Sequence, residues 1–230
     1  MKLPTALGLL LLMMWPIAAH AETNPPIPPA TTNLTLTGLR IIPADPPYIE
    51  ADGAVALREG ILEFISVEPR GREYESLLTL IAKPSALQFA LLLIGCEPGH
   101  DPAAGMPTSF QPQFDKGSRL RLEVQWQAGE QTHRVPVEQW LRDRKTGKAP
   151  DRLEWVFNGS FFNRGLDGNT IFQADAEEAH IALWWNPAIP INVIGNFGIP
   201  YQGDDLGFEV FTDRVPPTGT PVTLILRKAP

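Results

Sequence analysis

Cysteine is nearly absent from this chain of 230 residues: the single one, Cys96, cannot form an internal disulfide. An iron–sulfur cluster, which is held by several thiolates, is excluded with it. Histidine is almost as scarce. Beyond residue 21 there are only His100, His133 and His180, and the last two have no second ligand at metal spacing. Basic charge is also short, with 19 Lys and Arg against 26 Asp and Glu and a formal net charge of −7. Such a surface repels a phosphate backbone, so nucleic acid is a poor partner. Finally, no uninterrupted apolar run after residue 21 reaches the roughly 20 residues of a membrane span. Without staples the fold must rest on its core, and a chain of this length buries on the order of 70 % of its unfolded surface.

The ends carry the first positive signals. "MKLPTALGLLLLMMWPIAAHA" has a basic residue, an apolar run and a small-x-small ending at Ala19-His20-Ala21, the order of a secretory signal peptide cleaved after Ala21. Residues 1–21 are therefore expected to be removed, leaving a protein exported to the periplasm or the medium with no membrane span. Residues 22–33 form an arm with prolines at 25, 26, 28 and 29, which fix φ and remove donors. Residues 34–230 are read as one β-rich domain. The basic cluster Arg142 to Lys148 reads as a solvated turn around Gly147.

From Leu34 onward, short alternating segments are broken by Gly, Pro, Asn and Asp. "LTLTGLRII", "GILEFISVEP" and "ESLLTLIAK" read as successive antiparallel strands. In "SRLRLEVQWQAGEQTHRVPV", Leu120, Leu122, Val124 and Trp126 share one face of a hairpin. Further strands are expected at "RLEWVF", "TIFQAD", "HIALWW", "LGFEVFTD" and "PVTLILR". The fold class is α+β, mainly β, with antiparallel sheets packed around one buried helix. That helix is "KPSALQFALLLIG", with Ser85 and Gln88 at capping-box spacing, apolar residues on most of its surface and Gly95 as its left-handed stop. A second short helix is expected at "VPVEQWLRD", with Pro136 near its first turn.

These elements place the candidate chemistry. Cys96 falls just past the helix cap, and the four-residue segment to His100 contains Pro98 and Gly99, so their geometry is not set for a metal or redox pair; a packed cysteine is the better reading. Ser160 in "NGSFF" lacks the second glycine of a nucleophile elbow, and a bulge or turn at Gly159 accounts for it. Glu63, Glu75, Asp204 and Asp205 are paired-carboxylate candidates by type, Glu75 being the most interesting at a strand start. "NRGLDGNT" loosely resembles a calcium loop but lacks its closing Glu, and Asp167-Gly168 reads as a hairpin turn. Trp184, Trp185, Phe197 and Tyr201, interleaved with prolines and glycines, make the candidate ligand- or partner-binding loop, since adjacent strand residues face opposite ways and leave at least one tryptophan exposed.

Several signposts occur in order: Glu75-Ser76-Leu77, Pro98-Gly99, Trp140 with Asp143 and Thr146-Gly147-Lys148, Gly159-Ser160, and Pro216-Pro217-x-Gly219-Thr220. Together the region from Gly60 to Leu226 resembles the YdjY-domain proteins of bacteria. The resemblance implies an exported domain with a small packing residue where Cys96 stands. It implies no cofactor and no reaction. The expected function is an exported, non-catalytic binding or interaction module of the cell envelope, its partner an envelope protein or ligand. The alternatives are an envelope hydrolase using carboxylates, and a metal or redox accessory using Cys96 and His100.

Overall fold

The computed structural model describes residues 34–101, 103, 116–165, 168–195 and 206–230. Residues 1–33, which include the expected signal peptide and proline-rich arm, and Asp167, Phe197, Tyr201, Asp204 and Asp205 lie outside the described residues. In chain order the strands are β1 (Leu34–Leu36), β2 (Leu39–Ile42), β3 (Tyr48–Val55), β4 (Ile61–Leu62), β5 (Phe64–Val67), β6 (Ser76–Leu80), β7 (Arg119–Ala128) and β8 (Gln131–Pro136). They continue with β9 (Leu141–Asp143), β10 (Glu154–Phe157), β11 (Phe162–Arg164), β12 (Thr170–Phe172), β13 (Ala179–Ala182), β14 (Ile191–Ile194), β15 (Phe208–Val210) and β16 (Pro221–Lys228). Two helices, α1 (Pro84–Leu93) and α2 (Gln173–Glu177), complete the regular structure with short 3-10 turns. The chain is α+β and mainly β.

The main sheet closes on itself. Its order runs β3-β16-β7-β10-β14-β13-β5-β6, and β6 pairs back onto β3. Closure removes the exposed edges through which open sheets aggregate. Alternation fills the interior, with Leu120, Leu122 and Val124 of β7 facing Val222, Leu224 and Leu226 of β16 in one buried cluster. The expected β7–β8 hairpin is present in register, and Trp126 stacks on His133 with ring centroids 5.1 Å apart. The long strands each serve two neighbours on one side. β3 pairs with β2 near its start and with β6 near its end; β7 pairs with β10 at its start and with β8 further on. A separate three-stranded sheet joins β4, β15 and β9, and β11 pairs with β12.

Several expectations are corrected. β5 and β6 are parallel neighbours, as are β13 and β14, because Glu68–Glu75 and Leu183–Pro190 carry the chain back before it re-enters the sheet. "TIFQAD" is a strand only to Phe172; Gln173–Glu177 turns into α2. In "VPVEQWLRD" the short helix is a 3-10 turn confined to Val137–Trp140, and the rest is β9, whose pairing with β15 supplies the hydrogen bonds a longer helix would have made. The turn still buries Trp140 and Leu141.

Helix α1 starts two residues earlier than its capping box requires, with Pro84 in the first turn and no side-chain cap from Lys83. Ser85 is thus inside the helix, where its N–H donates to Asp175 Oδ1 at 2.8 Å. Gln88 is taken elsewhere too, its Oε1 accepting from the Ser160 N–H at 2.8 Å. The C-terminal reading holds in detail. Gly95 has φ +79°, its N–H donates to Leu92 O, and the Cys96 N–H donates to Leu91 O, the paired bonds of a Schellman stop. The helix is less enclosed than its composition suggests. Leu87, Ala90, Leu91 and Ile94 enter the core, while Phe89, Leu92 and Leu93 are exposed.

Gly53 is the tightest point of the closure. A Cβ there would lie 2.0 Å from Thr79 O, the backbone of β6 itself. Gly53→Ala is therefore expected to destabilise the protein by at least about 2 kcal/mol in chemical denaturation, as overpacking against unyielding backbone does.

Candidate functional site

The tryptophan pair sits on the connection between the parallel strands β13 and β14, not within a strand, because β13 ends at Ala182. The alternation argument from sequence therefore does not apply, and both indoles are half-buried. The connection is fixed at both ends. On one side the Leu183 N–H donates to Glu63 O at 2.9 Å. On the other, the buried Asn192 amide accepts from the Asn186 N–H at 2.8 Å and donates to Ile189 O at 2.9 Å, while Asn186 Oδ1 accepts from the Ala188 N–H. Ile189 folds down onto Phe64, Val67, Ala179 and Ala182 in a second small core. Trp184 is thereby held at a set place, its Nε1–H buried without a hydrogen-bond partner. Phe197 and Tyr201, the other members of the expected loop, are outside the described residues.

The same edge gathers carboxylates. The Glu63 N–H donates to Glu75 O at 2.9 Å, so the residue between β4 and β5 lies against the end of the 3-10 turn Glu73–Glu75. Burial pushes the Glu75 carboxyl above its ordinary range, and the negative charge of Glu63 pushes it further, against the opposing pull of Arg72. Burial raises Glu63 likewise, again opposed by Arg72. Glu68 is raised by burial first, then by the charges of Asp175 and Glu178. Arg72 lies over the Phe64 ring at 4.2 Å and pairs with Glu177 Oε2 at 3.1 Å. The structure thus unites Glu63 and Glu75, which sequence could name only by type, and adds Arg72, which it did not single out. The only sequence signal for that arginine was the polar turn "PRGRE".

Cys96 is buried and 3 % exposed, and burial pushes its thiol up to about 11, outweighing Lys228 and a bond from Ser118. Burial lowers the His100 ring below its ordinary range, and its Nε2 has no partner. Among the described residues, no three His, Cys, Asp or Glu side chains converge to hold a metal. Ser160 is fully buried, its Oγ accepting from the Ala174 N–H at 3.1 Å. Gly159 before it has φ +79°, the turn expected there. His180 is enclosed in β13, bonded through Nε2 to Ala82 O at 2.7 Å, and burial lowers it to about 4, so it is neutral at physiological pH. Gly165 and Asn169 close the β11–β12 hairpin, with the Gly165 N–H donating to Asn169 O.

Comparison with known proteins gives one match. The family model described as the YdjY domain covers residues 53–183, from the Gly53 closure to Leu183, one residue short of Trp184. The Pro216 to Thr220 signpost lies beyond that span. No curated protein and no solved structure matches the chain. Among the described residues, no helix is long and apolar enough to cross a membrane.

Two outcomes are expected. Because the folded protein holds the Glu75 proton more tightly than the unfolded chain does, the stability tied to this group is present below about 4.5, its ordinary value, and is lost as pH rises through the raised folded value. Glu75→Gln stays neutral, so its melting temperature should gain on the wild type from pH 4 toward neutrality; parallel pH curves would contradict this. Cys96 should resist a maleimide at pH near 7.5 in the native protein and react promptly in denaturant, as followed by mass spectrometry.

Proposed function

The chain belongs to the YdjY family, and we propose that it is an exported, non-catalytic binding module of the cell envelope that engages its partner through the Trp184–Trp185 connection. The observation that carries this reading is the fixing of two half-buried indoles by the Leu183–Glu63 bond and the Asn186–Asn192 bonds. Large aromatic side chains supply much of the energy at contact surfaces. Holding them in place beforehand lowers the ordering cost of association. The family match ends at Leu183, one residue before the indoles. Export rests on the leader sequence, and the net charge of −7 argues against a nucleic-acid partner. Catalysis by Ser160 or His180 is disfavoured by their complete burial.

One observation favours a second reading. Glu75, held toward its protonated form by burial and by the negative charge of Glu63, has what a carboxylate hydrolase asks of its general acid. The two readings separate in one experiment. Tagged protein recovered from its own cell envelope should begin at Glu22, and it should bring down a partner that Trp184→Ala/Trp185→Ala loses while keeping a cooperative melt. An unchanged set of partners would remove the first reading. Hydrolysis of an envelope polymer that Glu75→Gln abolishes would install the second.

A further inference from the structure

We infer that the β11–β12 hairpin and the exposed row of α1 are the two halves of a self-association surface: a second copy of this chain lays its hairpin across the row and receives the first copy's hairpin in return. The hairpin stands apart from the main sheet. All three residues of β11 are exposed, as are Thr170 and Ile171 of β12, and the two strands form a small sheet of their own. Such a ribbon is marginal in water without a surface to pack on. This one nevertheless carries large apolar groups on both faces. Phe162 sits opposite Phe172 with ring centroids 5.2 Å apart, and Ile171, opposite Asn163, lies on the other face.

Both ends of the ribbon are anchored beside α1. Before β11, the Ser160 N–H donates to Gln88 Oε1 at 2.8 Å; after β12, the Gln173 N–H donates to Phe161 O at 2.9 Å and the Ala174 N–H to Ser160 Oγ at 3.1 Å. Leu92 is one turn from Gln88 on the same side of the helix, so the row begins where the ribbon springs. Phe89, Leu92 and Leu93 are exposed by 43 to 51 %. A surface helix ordinarily turns charged and polar groups outward there, yet α1 has no charged residue from Pro84 to Leu93.

Charge and symmetry select the occupant. With a formal net charge of −7, two copies repel unless they meet where acids are absent or already engaged. The described residues of the ribbon carry one charge, the cation Arg164. Both acids of α2, at the ribbon's base, are engaged: Asp175 accepts from the Ser85 N–H, and Glu177 pairs with Arg72. Lys83 and Glu97 flank the row with opposite charges. A closed two-fold contact must also be self-complementary, each copy offering what the other lacks. This face meets that condition with a ribbon that has no platform and an uncharged helix face that has no cover.

The test is sedimentation velocity of the purified protein between roughly 1 and 100 μM, the range in which a contact of modest size should pass from monomer to dimer. Phe162→Asp and Leu92→Lys should each weaken dimerisation at least about a hundredfold while keeping a cooperative melt, since the two-fold counts every change twice and each buries a charge. Leu206→Lys, the same kind of change at an exposed leucine beside β15, should leave dimerisation unchanged. Mixing the two damaging variants gives the sharper readout. In a mixed dimer one ribbon–row contact is intact, and the other sets the new carboxylate against the new ammonium. The mixture should therefore dimerise at least about tenfold more tightly than either variant alone, which general stickiness would not produce. A monomer throughout the range, whether or not it sediments with phosphatidylglycerol vesicles, would overturn the inference. So would indifference to both substitutions, or no recovery on mixing.

Discussion

The contact on which the rest depends is the pairing of β6 onto β3 that turns an open sheet into a ring. It is made over three register pairs, Gly53 with Leu80, Ala54 with Thr79 and Val55 with Leu78, and only glycine admits the approach of Thr79 O. A closed sheet needs its strands tilted and staggered, so long strands overhang their neighbours. β3 and β7 are the two long strands whose overhangs are visible. Each gives part of one side to the ring and part to a local hairpin partner, β2 in the first case and β8 in the second. The parting of β8 and β10 along β7 is a geometric consequence of closure. The arginines beside it are a matter of sequence.

Closure alone does not place the helix. α1 is tied to the rest of the molecule by polar groups arriving from one later stretch of chain: Asp175 to the Ser85 N–H, Ser160 to Gln88, and His180 to the carbonyl of Ala82 just ahead of the helix. Hydrogen bonds in an apolar setting are strong, and the loss of one partner leaves the other buried and unsatisfied. These three contacts therefore decide which side of a nearly all-apolar helix faces inward. The consequence is the exposed row Phe89, Leu92 and Leu93, which hydrophobicity by itself would have turned inward. Cys96 follows from the same placement: the helix stop lays its thiol against the core, and burial keeps it protonated.

How much of this the sequence disclosed depended on range. Gly95 announced the helix stop, Ala128-Gly129-Glu130 the hairpin and the alternation of Val222, Leu224 and Leu226 the last strand, because each is settled within a few residues. The start of α1 lies near Ser85 as expected, but the Ser85–Gln88 capping box does not form, because Asp175, ninety positions away, takes the Ser85 N–H and Ser160 takes Gln88. The parallel pairs were hidden for a similar reason: period-two alternation reports a strand's faces and is silent on its direction. At the candidate site, composition pointed to Trp184 and Trp185 but not to the Asn192 amide that fixes them. The meeting of Glu63 with Glu75 arises from a backbone bond that no spacing rule contains.

Charge is arranged around the ring in a way that the net value of −7 conceals. Glu63, Glu68 and Glu75 lie by β5 and β6, whereas Arg121 and Arg227 lie on β7 and β16. From β6 through β3 to β16 is two strand spacings, roughly 10 Å along the sheet. Between groups facing solvent at physiological salt, fields fade over about 8 Å. The acidic side is therefore attenuated at the β7 edge, where Arg121, Arg152 and Arg227 stand beside Glu123, Glu138 and Asp151. Each side of the ring thus carries its own counter-charge, Arg72 among the acids by β5 and β6 and Glu123 among the arginines of β7 and β16, so the net charge does not foretell the field at any one place.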